Sequence, residues 1–374
     1  MSILAEGLGG IVGPVIGFLV GLIPLILVHE FGHLITGKIM GVWAREFGIG
    51  YPPRIVKLFR WQETDFTLNW LPFGGFTRFE GETTFDDGQD HEAEPGVREH
   101  SLYAKSPWRR IIIYLGGPLA NLLTAWLIAV LIFTTGIPQV RAVITDVAPD
   151  SPAQAANLQD GDAIVAVNGE SVEGTGELQT QIQANAGQLT TFTILRDGET
   201  STVSTTPRVN PPEGQGSLGI MIGNEEVDGT LKHYPVQQAF VYGSRYFANV
   251  AATTVMLPFY VIRMGIPFEQ ARPVGVVGIS QIAEQSVNQS IEESAPYPFL
   301  NVLVLLSISL GIFNLLPIPA LDGGRILFSL IEWIRGKSLT PALEERIHLV
   351  ALMLMVVLFV AVTVLDIVMP VQLQ

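Results

Sequence analysis

Apolar residues in this chain fall mainly in long uninterrupted blocks. Gly7–Val28, Ile111–Val140 and Ala295–Leu321 are each long enough to cross roughly 30 Å of hydrocarbon at about 20 residues per helix. Ile347–Leu365 is shorter but strongly apolar and predicts a fourth crossing. Phe247–Ile262 is interrupted by Asn249, Thr253, Thr254 and Pro258, so it reads as either a span or a surface helix. Two regions carry a different rhythm. Phe66, Leu68 and Trp70 alternate with polar residues as a half-buried strand would, and Gly74-Gly75 can turn the chain or let backbones approach closely. From 138 to about 223 the chain becomes polar, glycine-rich and strand-like.

Composition agrees with the blocks, because 48% hydrophobic against 15% charged residues is the balance of a membrane protein. A net charge of −14 excludes a nucleic-acid partner, since no phosphate-neutralising stripe is present. Without cysteine, disulfide and thiolate chemistry are excluded. No basic segment precedes the first apolar run, which is therefore expected to be retained rather than cleaved as a signal peptide. Ten of the 21 lysines and arginines lie between Lys38 and Arg110, seven between Arg141 and Arg272, and four between Arg325 and Arg346. The positive-inside tendency puts the first and last of these stretches in the cytoplasm and the middle one outside.

The first apolar run continues into "LVHEFGHLI", residues 27–35. His29 and His33 share a helical face with Glu30 beside them, the HExxH spacing by which zinc metalloproteases seat two imidazoles and a general base. An ionisable cluster at membrane depth marks function, because an unpaired charge there costs several kcal/mol. A catalytic zinc takes three protein ligands and keeps a position for water, so one ligand must come from elsewhere. In "NLLPIPALDGG", Pro317 and Pro319 interrupt the third apolar run just before Asp322, and Asp322 is the candidate. It reaches the depth of the histidines only if Phe247–Ile262 does not span, which selects the surface-helix reading and a count of four crossings.

HExxH in the first helix, "GGPLANLL" (Gly116–Leu123) in the second and "NLLPIPALDGG" (Asn314–Gly324) in the third together resemble the site-2 protease family, in particular the branch that processes membrane-bound anti-sigma factors. The resemblance implies an intramembrane zinc endopeptidase with one Zn2+ per chain. Its ligands would be His29, His33 and Asp322, its acid/base Glu30, and Asn314 would touch the substrate backbone. It also implies a membrane re-entrant β-loop around Gly74, Gly75 and Phe76 that holds unwound substrate by strand addition. Asn121 is a buried polar residue able to orient a metal-bound group or to bridge helices. "VAPDSPAQAANLQDGDAIVAVNGESV" (Val147–Val172) resembles bacterial PDZ domains, with Asn157 where glycine is usual, and implies binding of extended peptides or chain ends outside the membrane. "GSLGIMIG" (Gly216–Gly223) supplies either a further strand or the peptide-binding edge.

The expected architecture is a polytopic α-helical membrane protein of about four transmembrane helices with a re-entrant β-loop and an inserted extracytoplasmic PDZ (α+β) domain. Residues 1–137 hold helix one (about 8–37), the β-loop (about 45–81), an acidic loop (82–107) read as a solvated linker, and helix two (about 108–136). Residues 138–225 form the PDZ domain, 226–294 an outer amphipathic helix and a proline-containing loop, and 295–374 helix three (about 296–320) and helix four (about 346–368). The expected partners are a single-span transmembrane substrate cut near the cytoplasmic face, a peptide at the PDZ domain, and the lipid bilayer of the inner or plasma membrane. Other expected functions are a membrane PDZ adaptor with a non-catalytic metal site and a protease that clears remnant signal peptides.

Overall fold

The computed structural model describes residues 2–81, 97–212, 214–264, 274–337 and 341–369. In chain order the first long elements are α1 (Ser2–Ile39), β1 (Ala44–Trp61), β2 (Thr64–Phe79), α2 (Pro107–Thr135), β3 (Ile137–Val147), β4 (Ala163–Val167) and α3 (Gly174–Ala184). There follow β5 (Thr190–Arg196), β6 (Glu199–Thr205), β7 (Ile220–Lys232), α4 (Val236–Met264), α5 (Val276–Glu292), α6 (Tyr297–Asn314), α7 (Asp322–Arg335) and α8 (Pro341–Val368). They form two compact units, Met1–Thr135 with Tyr234–Gln374, and Gly136–His233.

In the first unit four helical segments are long and apolar enough to cross a membrane: Leu19–Ile39, Pro107–Thr135, Tyr297–Asn314 and Arg346–Val368. The chain is thus a multi-pass membrane protein, and α4 is not among these segments. Packing between apolar helices gains nothing from hydrophobicity in lipid, so close approach depends on small residues. At the α1–α2 crossing a Cβ on Gly116 would stand 2.6 Å from the Gly32 carbonyl oxygen, and one on Gly32 would stand 2.7 Å from the Ala120 methyl. On α6, a Cβ on Gly311 would meet Leu122 at 2.9 Å.

Two expected boundaries change. Helix three ends at Asn314 rather than near 320, because Leu316 and Ile318 each precede a proline and are steered away from helical backbone. Residues Leu315–Leu321 turn, and a new helix, α7, begins at Asp322. The end of the region 226–294, expected as a proline-containing loop after the amphipathic helix, is helical over Val276–Glu292: α5 packs on α1, where a Cβ at Gly17 would come 2.7 Å from the Glu284 nitrogen. Asp366, near the end of α8, is 1% exposed and accepts the Gly278 N–H at 2.9 Å in the first turn of α5. Of the acidic loop, 82–96 lie outside the described residues, but His100 is docked rather than solvated. Its ring stacks on Trp43 at 4.5 Å, its Nδ1 donates to the Gly41 carbonyl at 2.9 Å, and Leu102 beyond it is fully buried.

β1 and β2 each bend, so four segments lie side by side in the order 75–79, 44–49, 65–69 and 54–61, with Ile49 opposite both Gly75 and Leu68. The bends bring Gly74 and Gly75 onto α1: Cβ atoms there would lie 3.5 Å from Ile26 and 2.8 Å from Leu27.

The second unit is a sheet in the order β6-β5-β4-β3-β7, around Ile144, Ile164, Leu178, Phe192 and Leu218. Asn157 has φ 59°, a left-handed conformation that asparagine tolerates better than most residues. Asn168-Gly169, with φ 51° and 84°, turns β4 as an Asn-Gly pair commonly does. Residues 220–223 open β7, which pairs with β3 and, among the described residues, has its other edge free of strand partners.

Candidate metal centre and cleft

His29 and His33 lie one helical turn apart on α1, and α2 fixes both rings. His33 Nδ1 donates to the Ile113 carbonyl at 2.8 Å, which leaves Nε2 as the bare, lone-pair nitrogen. His29 Nδ1 faces the Asn121 carboxamide at 3.4 Å, with Asn121 fully buried and its Oδ1 otherwise without a partner. Turned so that Oδ1 meets the ring, that carboxamide accepts the Nδ1 proton and frees the His29 Nε2 as well.

Asp322 arrives from the break between α6 and α7. Gly323 and Gly324 make the approach possible, because Cβ atoms there would lie 2.5 Å from the Leu315 carbonyl carbon and 2.5 Å from the Pro319 Cα. Asp322 Oδ2 stands 3.0 Å from His29 Nε2 and 3.3 Å from His33 Nε2, and the two Nε2 atoms are 3.2 Å apart. Three ligands held at about 2.0–2.1 Å from a tetrahedral ion are separated by about 3.3 Å, so the triangle has the size that zinc requires. Space for an ion is kept by Gly117, where a Cβ would fall 2.7 Å from His29 Nε2. Asp322 is the first residue of α7, where the helix dipole favours an anion.

Glu30, Tyr51, Gly75, Phe76, Thr77 and Asn314 line a cavity of about 390 Å³ with these three side chains. Thr77 donates to the Glu30 carbonyl at 2.9 Å, which ties segment 75–79 to α1 beside the cavity. Asn314 faces the cavity while donating to the Leu310 carbonyl at 2.9 Å. Gly74 lies next to the lining rather than in it. Tyr51 and Arg325 also line the cavity and were not among the residues singled out from sequence. The alternation in 66–70 pointed to the neighbouring strand, and nothing local marks either residue.

The model of peptidase family M50 matches residues 17–358. Zinc metalloprotease RasP of Geobacillus kaustophilus is 29% identical, covering 93% of this chain and 96% of its own length. The RasP of Oceanobacillus iheyensis is 27% identical over 93% and 97%. A Clostridium perfringens relative is 31% identical over 93% and 96%.

Proposed function

The chain belongs to peptidase family M50, the site-2 proteases, and is a zinc metalloendopeptidase of that type; from this premise we propose that it cleaves single-span transmembrane segments near the cytoplasmic face. The observation that carries the reading is the triangle of His29, His33 and Asp322 with Glu30 on the same cavity.

In this reading the three side chains hold the ion and Glu30 works beside it. Zinc, when bound, supplies Lewis acidity and lowers the pKa of a water towards neutrality. Glu30 takes that water's proton as attack proceeds and returns it to the leaving amine. Asn121 and the Ile113 carbonyl keep the imidazoles in the tautomer that presents Nε2. A helical substrate has its carbonyls occupied by its own hydrogen bonds and must be unwound first. Segment 75–79 runs along the cavity and offers an edge for the extended chain, with Asn314 as a second contact to its backbone.

The unit Gly136–His233 serves as a PDZ domain outside the membrane. It inspects peptides or chain ends along β7 and turns away substrates whose outer part is still large. The basic residues between Lys38 and Arg110 and after Asp322 orient the cavity towards the cytoplasm. The substrates are anti-sigma-factor-like membrane proteins already cut once.

The test uses purified protein in detergent with a panel of single-span substrates, with and without a chelator, and cleavage mapped by mass spectrometry. Glu30→Gln should abolish cleavage and keep zinc. Cleavage by Glu30→Gln at the parent rate would show that another group is the base.

A further inference from the structure

We propose that Tyr51 is a catalytic residue whose hydroxyl donates a hydrogen bond to the scissile carbonyl oxygen as negative charge develops on it, an inference that rests on the protease reading above.

Tyr51 stands where β1 bends. Gly50, at φ 79°, carries the chain into the bend, and Tyr51 lies across from Leu71. Its ring stacks on Phe76, with centroids 6.2 Å apart and planes 16° from parallel. The ring edge lies 3.4 Å from where a Cβ on Gly74 would sit. At the next residue, Gly75, a Cβ would be 3.8 Å from the Glu30 Cγ, so the phenol and the proposed base are served by adjacent residues of one bend. Tyr51 and Phe76 both line the cavity that holds His29, Glu30 and Asp322, and Tyr51 keeps 45% exposure, so the phenol is open to an incoming chain.

Other polar groups on the cavity wall have intramolecular partners, Asn314 through one N–H only. The Thr77 hydroxyl bonds the Glu30 carbonyl, the Asn314 amide bonds the Leu310 carbonyl, and Tyr114 is 4% exposed beneath the Arg325 guanidinium, 5.6 Å from its ring. Among the described residues no group accepts the Tyr51 hydroxyl proton. A phenol with an ordinary pKa of about 10 keeps that proton at neutral pH. Attack on the peptide turns a weakly accepting carbonyl oxygen into an oxyanion. A donor held by ring stacking therefore strengthens its bond in the transition state without reorganising. Glu30 meanwhile holds the water's proton until the C–N bond breaks and the amine takes it, so Tyr51 gives up no proton.

Tyr51→Phe removes the hydroxyl and keeps the stack, whereas Tyr51→Ala removes both. Each variant is assayed with zinc bound on a tagged single-span polyleucine substrate softened by an Asn-Pro pair. Calorimetry then measures affinity for a phosphinic peptide, a tetrahedral mimic, and for its extended uncleavable amide counterpart. Tyr51→Phe should lower kcat about 10²-fold with KM within about twofold, and weaken the phosphinic peptide by a similar factor but not the amide. Tyr51→Ala should also raise KM. Parent-like kcat and phosphinic affinity in Tyr51→Phe, with Glu30→Gln inactive, would overturn the role of Tyr51 alone. Loss of zinc or of thermal stability in Tyr51→Phe would make the residue structural and overturn it too. If Glu30→Gln cuts at the parent rate, the catalytic reading falls and this inference with it.

Discussion

Two carboxylates, one in each unit, meet opposite surroundings, Asp162 buried and Asp322 half-buried. Asp162, 1% exposed, has a cation from its own chain: Arg196 Nε and a terminal nitrogen bond its two oxygens at 2.6 and 2.7 Å, and the Gln159 N–H adds a third bond at 2.8 Å. Asp322 meets two imidazole nitrogens instead, and among the described residues no lysine or arginine pairs with it. With the Nδ1 protons directed to Ile113 and Asn121, its oxygen and both Nε2 atoms converge as lone pairs, which repel. The first arrangement is complete as folded, whereas the second calls for a proton or a metal ion between its three atoms. The comparison separates a carboxylate that stabilises a fold from one that stores binding energy for a metal.

The largest effect should follow from removing the anionic corner of the triangle. Asp322→Asn keeps the shape and loses the charge. It should hold less than about a tenth of the zinc of the parent and cut at least about 10³-fold more slowly, as chelation should. Zinc content by mass spectrometry checks this, and full zinc in Asp322→Asn would break the contrast with Asp162.

A smaller step sharpens the comparison without touching a ligand. Gly117→Ala places a methyl against the His29 and His33 nitrogens. Alanine favours a helix over glycine by about 1 kcal/mol, so secondary structure should not suffer. Zinc affinity should fall about 10²-fold through crowding alone, read by competition with a calibrated chelator. Unchanged affinity would mean that the ion does not sit on the Gly117 side of the rings.

Local signals in the sequence reached α1 and its HExxH face, the block pattern of the four spans, and the β-loop between Phe66 and Trp70, because period and run length depend only on neighbours. The proline-broken approach of Asp322 was legible for the same reason, although the break begins at Asn314. The parts that were not legible are long-range. The His33 ring is anchored on a carbonyl 80 residues away, and a carbonyl leaves no trace in residue type. Helix α5 is rich in Gln, Ser and Asn, so its packing against α1 depends on Gly17 and Gly21 rather than on an apolar run. Asp366 looks like a stray charge in the last span until Gly278 supplies its N–H. Tyr51 sits among aromatic residues that give no hint which one faces a cavity.

In the second unit the expected effect is on stability. Asp162→Ala leaves the Arg196 fork and the Gln159 N–H without their acceptor. The pair is solvent-facing on the arginine side, so the loss should fall below that of a fully buried pair, at about 2 kcal/mol. Hydrogen exchange of the β4 and β5 amides in the full chain should report faster opening there, with α1 and α2 unchanged. Equal acceleration in α1 and α2 would deny that Asp162 serves its own unit.

The smallest effect is the acid limb of the same interaction. Burial pushes Asp162 up, but the Arg196 bonds and the Gln159 N–H outweigh it and hold the carboxyl below its ordinary range. An unfolded aspartate, with a pKa of about 3.9, therefore takes up its proton at a higher pH than the native one. The stabilisation is fully present above that value. It shrinks as pH falls through the unfolded and then the native pKa, with a slope of at most about 1.4 kcal/mol per pH unit for one proton. Asp162→Asn removes the titrating group, so the stability gap between parent and variant should be constant from pH 6 to about 5 and then narrow towards pH 3. The gap is read from β4 and β5 exchange corrected for intrinsic rates. A gap that stayed constant down to pH 3 would mean that the carboxyl gains nothing from Arg196 beyond shape, and Asp162 would then need its cation no more than Asp322 has one.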